Sequence, residues 1–593
     1  MPQGRRLRAD HVLLAGGAGI LLLMLAVGVI SFPFRQHTVA HIFFVRQDVA
    51  ILSLQALTLL ALGWIGVEGA PRAPALPSGR WIALLILCAV AIGWAGHYLI
   101  FQGYSLTADE QSADIAAAAI RHGGIGYPVP PDLRPYAAAM MPQYVSAPHD
   151  MVWVSGYLPV NAALQALLSI PERGLASPLL LGAGLAALWL AARRFFAGGS
   201  DAAIVVMAMA LTSSQLLTTA MTSYAMTAHF ALNMIWLVLA TRGGKAGHAG
   251  ALIVAFLATG LHQAQFHPMF ACGFILWFWL RGDRRLAILY AIAYAAILLF
   301  WIGAYPVILS RLLSPPHAAV ASHALHAVHA GAPHRADTID HTILRSLKSA
   351  YLYASIKVGR LAQLDPLLNL SRFAAWQNLL MLPLAIAGMR LVPAAWRDRE
   401  SLAFPLTVTC LIGLATMIYQ AHGWGYRYLH GDLGGFYLLA GYGWRRLRPT
   451  FGDAGTIPAL KPLWIACAAA LLLFLPAQWL MARHWTAPYV ALYRGIEKSP
   501  DDVVLVDDVG GAFLEDIVHI RPEEGVHKPY IMSLVRLMPA QLDRLCARYP
   551  RIGFIGVEQA YAVGVLPTIN PEWKIRYAAA LRRYLAMRGC AGF

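Results

Sequence analysis

Apolar stretches long enough to cross a lipid bilayer recur along most of the chain, and short polar segments separate them. A helix needs about 20 apolar residues to span the hydrocarbon core, and we take runs of roughly 17 to 25 residues as spans. The pattern therefore predicts an α-helical polytopic membrane protein with about 13 spans. The runs lie near residues 11–31, 49–69, 81–101, 174–192, 201–219, 224–241, 249–265, 267–281, 286–308, 374–392, 402–420, 432–445 and 462–482.

The basic residues between these runs predict the orientation of the chain. If the N-terminus is cytoplasmic, Lys and Arg crowd the short inside loops, whereas the short outside loops hold only Arg35, Arg46 and Arg427. Such an excess of positive charge is the rule for cytoplasmic loops. The first run has a basic start and no small-residue cleavage site, so we expect an uncleaved signal anchor. Residues 102–173, 309–373 and 483–593 then lie on the far side of the membrane.

Two long outer loops, residues 102–173 and 309–373, interrupt the series of spans. In the first loop, residues 157–171 are apolar but too short to span, so we expect a helix lying in the membrane interface. The second loop begins with a His-rich part, residues 317–341, which lacks Cys or paired carboxylates and which we interpret as a mobile loop. Basic and aromatic residues follow among apolar ones, and they predict an amphipathic helix on the membrane.

The composition changes after residue 482 to a charged segment in which strand and helix patterns alternate. Residues 503–506, 530–532 and 552–557 resemble short strands, and residues 539–549 resemble a helix. We predict a small α/β domain outside the membrane over residues 483–593. An oxidising compartment permits a disulfide between Cys546 and Cys590, although nothing in the sequence requires it.

Composition supports the membrane assignment and excludes other classes. Of the 593 residues, 58% are hydrophobic and only 13% are charged, which is not the composition of a soluble globular protein. The 46 Lys and Arg outnumber the 30 Asp and Glu, but much of this excess lies in short loops between spans. We attribute it to membrane orientation and predict no nucleic-acid partner. The six cysteines show no spacing typical of a zinc or redox site.

The outer loop 102–173 carries the first candidate chemistry. Asp109 and Glu110 stand just beyond a predicted span, where burial and neighbouring charge can tune a carboxylate into a general base. An isolated Asp-Glu pair is more often a solvated turn. Asp150 and Tyr157, later in the same loop, are candidate substrate-binding residues.

Several histidines fall on the same predicted outer side as this acidic pair. His229 lies in a span, His262 and His267 bound a very short turn, and His422 begins another turn. Ionisable groups in or beside a membrane are costly and usually face a cavity or a partner. Each histidine alone is more often a packing residue, but together they are candidates for the wall of a shared cavity.

Three basic residues are candidate phosphate ligands. Arg427 is flanked by aromatic residues at the predicted outer boundary and can bind a phosphate through two hydrogen bonds. The alternative is an anchor in the aromatic belt of the membrane. Lys357 and Arg360, about one helical turn apart, are weaker candidates of the same kind.

The order of these features resembles a known family. A span precedes an outer loop that opens with Asp109-Glu110, an Ala-rich stretch follows, and the Tyr157-Leu158-Pro159 helix leads to a span closed by Ala192-Arg193-Arg194. This order is similar to that of the C-type (GT-C) glycosyltransferases, which use polyprenyl-phosphate sugars. It is most similar to the branch that contains the protein O-mannosyltransferases and the lipid A aminoarabinose transferase.

The chain departs from the family pattern at two places. The acidic loop usually follows the first span, whereas here residues 1–79 supply two additional spans and residues 80–482 form the core. The Tyr-Leu-Pro of residues 157–159 also stands where the family often has Tyr-Pro-Pro. The sugar and the acceptor therefore stay open.

The resemblance implies an inverting sugar transfer on the outer side of a bacterial plasma membrane. A lipid-linked donor would have its phosphate bound by Arg427 with Lys357 or Arg360, and Asp109 would deprotonate the hydroxyl of a glycan, lipid or protein acceptor. Glu110 would raise the pKa of Asp109 or orient the acceptor, and His262 and His267 would line the pocket. No cofactor is certain beyond the donor, and no residue pattern indicates a divalent metal.

Two other functions are compatible with the sequence. A proton-coupled transporter would use the membrane histidines and carboxylates as a relay, but the spans show no internal repeat and the outer C-terminal segment has no obvious role in transport. A ligase or polymerase of lipid-linked glycans would use the same carboxylate and arginine with a diphosphate-linked donor.

Overall fold

The computed structural model describes residues 9–35, 39–65, 79–196, 201–313, 364–393, 395–416, 420, 423–447, 460–567 and 572–590. Within these ranges, five helices are long and apolar enough to cross a membrane: Ala40–Trp64, Gly79–Leu99, Ala176–Phe195, Arg284–Leu313 and Pro462–Glu497. Leu14–Ile30, Asp201–Leu211 and Phe266–Leu280 are shorter apolar helical stretches. The chain is thus a mainly helical integral membrane protein, and the count of about 13 spans stays a prediction.

Most of the described residues lie in α-helices. Their bounds are Ala9–Arg35, Val39–Phe43, Val49–Ile65, Gly79–Leu99, Ala108–Arg121, Ala137–Met140, Val160–Leu168, Ala176–Phe195, Asp201–Leu211, Ser214–Thr219, Met226–Arg242, Gly244–Thr259, Phe266–Leu280, Arg284–Leu298, Tyr305–Leu313, Leu364–Ala375, Met381–Gly388, Ala403–Ala415, Leu433–Leu447, Leu460–Ala469, Leu475–Glu497, Pro539–Arg548, Val557–Ala562 and Glu572–Met587.

The second apolar helix begins earlier than the run 49–69 predicts. It starts at Val39 and passes through a π-helical turn at Phe44–Asp48. Asp48 is buried there and accepts a 3.1 Å hydrogen bond from the indole N–H of Trp376. This hydrogen bond from a distant segment gives one carboxylate oxygen a partner inside the apolar core, and the helix continues past the polar residue.

The run 201–219 is divided into two helices, Asp201–Leu211 and Ser214–Thr219. The hydroxyl of Ser213 accepts a 3.3 Å hydrogen bond from the backbone N–H of Leu216, which is the N-cap arrangement that starts a new helix. A hydrophobic run alone does not reveal such an internal cap.

The first long outer loop holds a helix, a small sheet and a second short helix. We call Ala108–Arg121 the site helix. Strand β3 (Val152–Ser155) lies between β1 (Tyr127–Pro128) and β2 (Val145–Ser146), and both pairings are antiparallel. The helix Val160–Leu168 falls within residues 157–171, where the sequence predicts a short helix.

The C-terminal segment contains a three-stranded parallel sheet. Its central strand β4 (Val503–Val506) lies between β5 (Tyr530–Ser533) and β6 (Ile552–Ile555). All four residues of β4 are buried, as is usual for a parallel strand covered on both faces. Cys546 and Cys590 form a disulfide. These are the strands and the helix that the sequence predicts, and a separate domain outside the membrane stays a prediction.

The outer loop and the C-terminal sheet share one apolar core. Ile115 and Ala119 of the site helix and Trp153 of β3 are buried together with Leu505 and Met532 of the parallel sheet. Burial of a side chain the size of leucine or methionine contributes about 1.5–3 kcal/mol. The C-terminal sheet therefore fixes the position of the site helix.

Polar contacts join the same two parts of the chain. Gln111 of the site helix donates a 2.6 Å hydrogen bond to the carbonyl of Asp516. At the other end of the helix, Arg121 and Glu523 form a 2.6 Å ion pair, and Arg173 also pairs with Glu523. Both ends of the site helix are thus held by the C-terminal segment.

Candidate active site

The site helix begins with a capping box. The hydroxyl of Thr107 accepts a 3.4 Å hydrogen bond from the backbone N–H of Glu110, and the Glu110 carboxylate accepts one of 3.2 Å from the backbone N–H of Thr107. Two unpaired N–H groups of the first turn are satisfied in this way. Asp109 stands in the same turn, where the positive end of the helix dipole favours a negative charge.

Glu110 is part of this cap and is 3% exposed. Burial and the nearby Asp114 carboxylate raise its pKa to about 8, against the hydrogen bonds from Thr107. That Glu110 raises the pKa of Asp109 or orients the acceptor stays a prediction, while the net shift of the Asp109 pKa is downwards. The side chain of Glu110 supports the helix start and lines neither of the cavities described below.

Asp109 is bound by three side chains from distant parts of the chain. Its Oδ2 accepts a 2.8 Å hydrogen bond from Nη1 of Arg427, and its Oδ1 accepts one from the hydroxyl of Tyr157. Nε2 of His262 lies 3.9 Å from Oδ1. Burial alone would raise the pKa of Asp109, but the Arg427 guanidinium, His262 and Tyr157 together outweigh it and hold the pKa well below the usual range of a carboxyl.

Tyr157 and His262 support the carboxylate as a pair. Their ring centroids lie 3.9 Å apart, so each ring restricts the other. Burial and the neighbouring Asp109 charge raise the pKa of Tyr157, which keeps its hydroxyl protonated and able to donate. Of the sequence candidates, Asp109, Tyr157, His262 and Arg427 thus lie together.

Arg427 belongs to a segment of residues 423–432 that we call the arginine loop. Its backbone N–H donates a 2.6 Å hydrogen bond to Oε1 of Gln420. Its guanidinium lies 4.7 Å from the ring centroid of Tyr224, in a cation–π contact. Gly423 passes so close that a Cβ there would lie 2.5 Å from Cδ of Arg427, which requires glycine at this position.

A network of hydrogen bonds between buried glutamine side chains supports the arginine loop. Nε2 of Gln215 donates a 2.8 Å hydrogen bond to the carbonyl of Tyr426, next to Arg427. Gln377 in turn donates 2.9 Å to Oε1 of Gln215 and accepts 2.8 Å from the hydroxyl of Tyr437. Sequence reasoning missed these glutamines, although a glutamine inside the apolar run 201–219 is itself a signal of a polar contact.

A cavity of about 220 Å³ lies on the other side of Arg427, and we call it the polar cavity. Both ring nitrogens of His229 are buried in its wall, and neither has a hydrogen-bond partner among the described residues. The same holds for Nε of Arg427. The lining residues are Met226, His229, Asn233, Gln265, Phe266, Met269, Gly413, Thr416, Arg427, Tyr428, Gly431 and Asp432.

A smaller space of about 20 Å³, the side pocket, borders the Asp109 carboxylate directly. Ser155, Tyr157, Asn161 and His262 line it with apolar neighbours. Oδ1 of Asn161 is buried without a hydrogen-bond partner among the described residues. Asp109 and Arg427 therefore stand between two spaces that offer unpaired polar atoms.

His267 does not line the polar cavity, contrary to the expectation from the sequence. It is fully buried, and its Nδ1 lies 2.7 Å from Oδ1 of Asn233, while the Tyr294 hydroxyl lies 2.9 Å from its Nε2. Asn233 also donates 2.9 Å to the carbonyl of Gly431. This chain ties three helices to the arginine loop, and Asn233, which the sequence reasoning missed, is its cavity-lining member.

The remaining candidates lie elsewhere. Asp150 is exposed in the turn Pro148–Asp150, before β3, and lines neither cavity. Lys357, Arg360, His422 and the His-rich residues 317–341 lie outside the described residues. In the part of the chain that is described, no group of three or more His, Cys, Asp or Glu is placed to hold a metal ion.

The arrangement is suited to proton transfer next to a departing anion. A carboxylate that borders a pocket can take a proton from a hydroxyl there. A guanidinium with one face toward that carboxylate and an unpaired N–H can stabilise a second anion.

No protein-family model matches this sequence, and no curated protein matches it. Among solved structures, ArnT from Cupriavidus metallidurans in the apo state is similar, with 13% identity, a TM-score of 0.41, and coverage of 74% of this chain and 84% of that chain. The form bound to undecaprenyl phosphate has 12% identity, a TM-score of 0.35, and coverage of 74% and 85%.

Proposed function

We propose that this chain is a membrane glycosyltransferase that moves a sugar from a polyprenyl-phosphate donor to an acceptor hydroxyl, with inversion at the anomeric carbon. The observation that carries the proposal is the position of Arg427, whose guanidinium contacts the Asp109 carboxylate and also lines the polar cavity. A displacement that removes a proton from one reactant and releases an anion from the other needs a base and a cation placed in this way.

The polar cavity receives the sugar and the phosphate of the donor. The unpaired N–H of Arg427 and the unpaired ring nitrogens of His229 supply hydrogen bonds to the phosphate oxygens and the sugar hydroxyls. Lys357 and Arg360 remain candidates for a second phosphate contact.

An apolar groove beside the cavity suits a lipid-linked donor. Cys272, Ile275, Leu276 and Trp279 line it with residues of the next helix, and its volume is about 530 Å³. Met269 of the polar cavity and Cys272 of the groove are three residues apart in one helix, so they lie on the same face. The polyprenyl chain lies in this groove while its phosphate reaches Arg427.

The acceptor enters by the side pocket and places its hydroxyl against Asp109. The hydroxyl oxygen attacks the anomeric carbon, and its proton passes to the Asp109 carboxylate. The bond between that carbon and the phosphate oxygen breaks, and its electron pair leaves with polyprenyl phosphate, which gains one negative charge. The guanidinium of Arg427 stabilises this charge as it develops.

Replacing Asp109 by Asn tests the proposal, because Asn keeps the shape of the side chain and removes the base. Membranes that carry wild type or Asp109→Asn are assayed for transfer from a panel of polyprenyl-phosphate sugars, at equal protein level. We expect the variant to lose about a hundredfold or more in rate. Asp132→Asn, at a carboxylate that is 73% exposed and pairs with Arg548, is the control that retains the wild-type rate.

Each outcome decides between the alternatives. Full activity in Asp109→Asn would remove Asp109 from the mechanism. Transfer by the wild type only from diphosphate-linked oligosaccharides would favour the ligase. No transfer from any lipid-linked donor would overturn the proposed function in favour of the transporter.

A further inference from the structure

The Asp109 carboxylate and the polar cavity share one guanidinium. Among the described residues, Asp109 has only Arg427 and His262 within ion-pair distance, at 2.8 Å and 3.9 Å. The guanidinium gives one N–H to that carboxylate, and its buried Nε has no hydrogen-bond partner in the described chain. A second anion that enters the cavity therefore meets the cation on which Asp109 depends.

With the cavity empty, Asp109 is a poor base. Three side chains stabilise its charged form, and an efficient general base needs a pKa nearer to the working pH. The carboxylate gains basicity only when part of this stabilisation is withdrawn. Of these three side chains, only Arg427 lines the polar cavity. Tyr157 and His262 line the side pocket instead.

We propose that the donor phosphate and Asp109 compete for the guanidinium of Arg427, so that the carboxylate becomes the base only while the donor occupies the cavity. This competition presupposes the function proposed above. A like charge brought within a few ångströms of a carboxylate raises its pKa, and sharing the guanidinium adds to this effect.

The competition couples the two substrates without a moving lid. In the absence of donor, the Asp109 carboxylate stays paired with Arg427 and is a weak base. It therefore does not deprotonate water in the side pocket. When the donor binds, the same contact that positions its phosphate prepares Asp109 to receive the acceptor proton. Transfer of that proton neutralises Asp109 at the moment when the phosphate gains its charge, and Arg427 is then free to follow the leaving group.

Thermodynamic linkage gives a direct test, because competition is reciprocal. If the phosphate weakens the hold of Arg427 on Asp109, then the Asp109 charge weakens the binding of the phosphate by the same factor. Removing the charge of Asp109 must therefore tighten binding, although it abolishes transfer. A role of Asp109 in direct donor binding predicts the opposite.

The experiment measures the affinity of a polyprenyl methyl phosphodiester, which carries one negative charge and no sugar, for the full chain in lipid nanodiscs. We expect Asp109→Asn to bind about tenfold more tightly than the wild type, and Arg427→Gln to bind at least tenfold more weakly. Asp114→Asn is the matched control with unchanged affinity, since Asp114 is a buried carboxylate of the same helix that contacts Ser105 instead of Arg427.

The binding experiment distinguishes failure of the competition for Arg427 from failure of the proposed function. Equal or weaker binding by Asp109→Asn, with normal binding by the wild type, would overturn the competition and leave the proposed function standing. No binding by the wild type would overturn the proposed function. Should Asp109→Asn not fold, Asp109→Ser removes the same charge, keeps an acceptor for Tyr157, and is judged by the same criterion.

Discussion

At the scale of single residues, two adjacent carboxylates have opposite environments. Asp109 faces a guanidinium and the side pocket, whereas Glu110 closes the helix cap and lines neither cavity. The sequence places both at a membrane boundary but does not reveal which one meets Arg427, because that contact joins residues 318 positions apart. The sequence analysis did not identify the cap, although Thr107-Ala108-Asp109-Glu110 has the spacing of a capping box.

The buried carboxyl of Glu110 predicts a pH-dependent stability. Its pKa is about 8 in the folded protein and about 4.5 for an unperturbed glutamate side chain. Between these two pH values the folded state therefore binds more protons than the unfolded state. The free energy of unfolding then falls as the pH rises, by up to about 1.4 kcal/mol per pH unit. Glu110→Gln removes this titration and keeps an oxygen for the Thr107 N–H. We expect thermal unfolding in detergent to depend less on pH between 5 and 8 in the variant.

Asp132→Asn, at an exposed position, is the control for this measurement and should keep the wild-type slope. Identical slopes for Glu110→Gln and the wild type would contradict the assignment of the raised pKa to Glu110.

At the scale of elements, the arginine loop is positioned by groups that the sequence does not connect. Gln215, Gln377 and Gln420 come from three separate segments and meet only in the folded chain. The periodicity of hydrophobic residues predicts the helices that carry them, but not the hydrogen bonds between them. Arg427 was therefore recognisable as a candidate, whereas the residues that position it were not.

Gln215→Leu tests this support. The substitution removes the buried hydrogen bonds of Gln215 to the carbonyl of Tyr426 and to the amide of Gln377, which costs about 1–3 kcal/mol of stability. Because the loop is then less fixed, we expect the affinity for the polyprenyl phosphodiester to fall at least tenfold.

The matched control is Gln165→Leu. Gln165 lies in the loop of residues 102–173, and the substitution removes its buried 3.0 Å hydrogen bond to Ser177. It should lower stability by a similar amount and leave the affinity unchanged. Equal losses of affinity in both variants would show that general destabilisation, and not the position of Arg427, is responsible.

At the scale of the whole molecule, composition and apolar runs were enough to predict a helical membrane protein. The exact ends of the helices were not predictable, since Asp48 lies inside a helix with a hydrogen bond from the distant Trp376, and Ser213 caps a new helix inside an apolar run. The sharing of one core by the outer loop and the C-terminal sheet also has no signature in the sequence, because the contacts are between distant segments.

The predicted orientation can be tested with single cysteines at exposed positions. Met587 is 79% exposed in the C-terminal segment. Lys245 is exposed in the first turn of the helix Gly244–Thr259, and the distribution of basic residues assigns this turn to the cytoplasm. In intact cells, we expect a membrane-impermeant maleimide to label Met587→Cys and to label Lys245→Cys only after permeabilisation. The wild type reports the background from native cysteines, and the reverse pattern would invert the topology.

The core shared by Ile115 and Met532 also has a consequence for how the protein is made. The ribosome completes the site helix long before it reaches the strands that hold this helix in place. Synthesis therefore finishes the membrane helices first, and the carboxylate receives its rigid support only when the last part of the chain has folded against it. A chain truncated before this sheet would therefore leave the site helix without its apolar support.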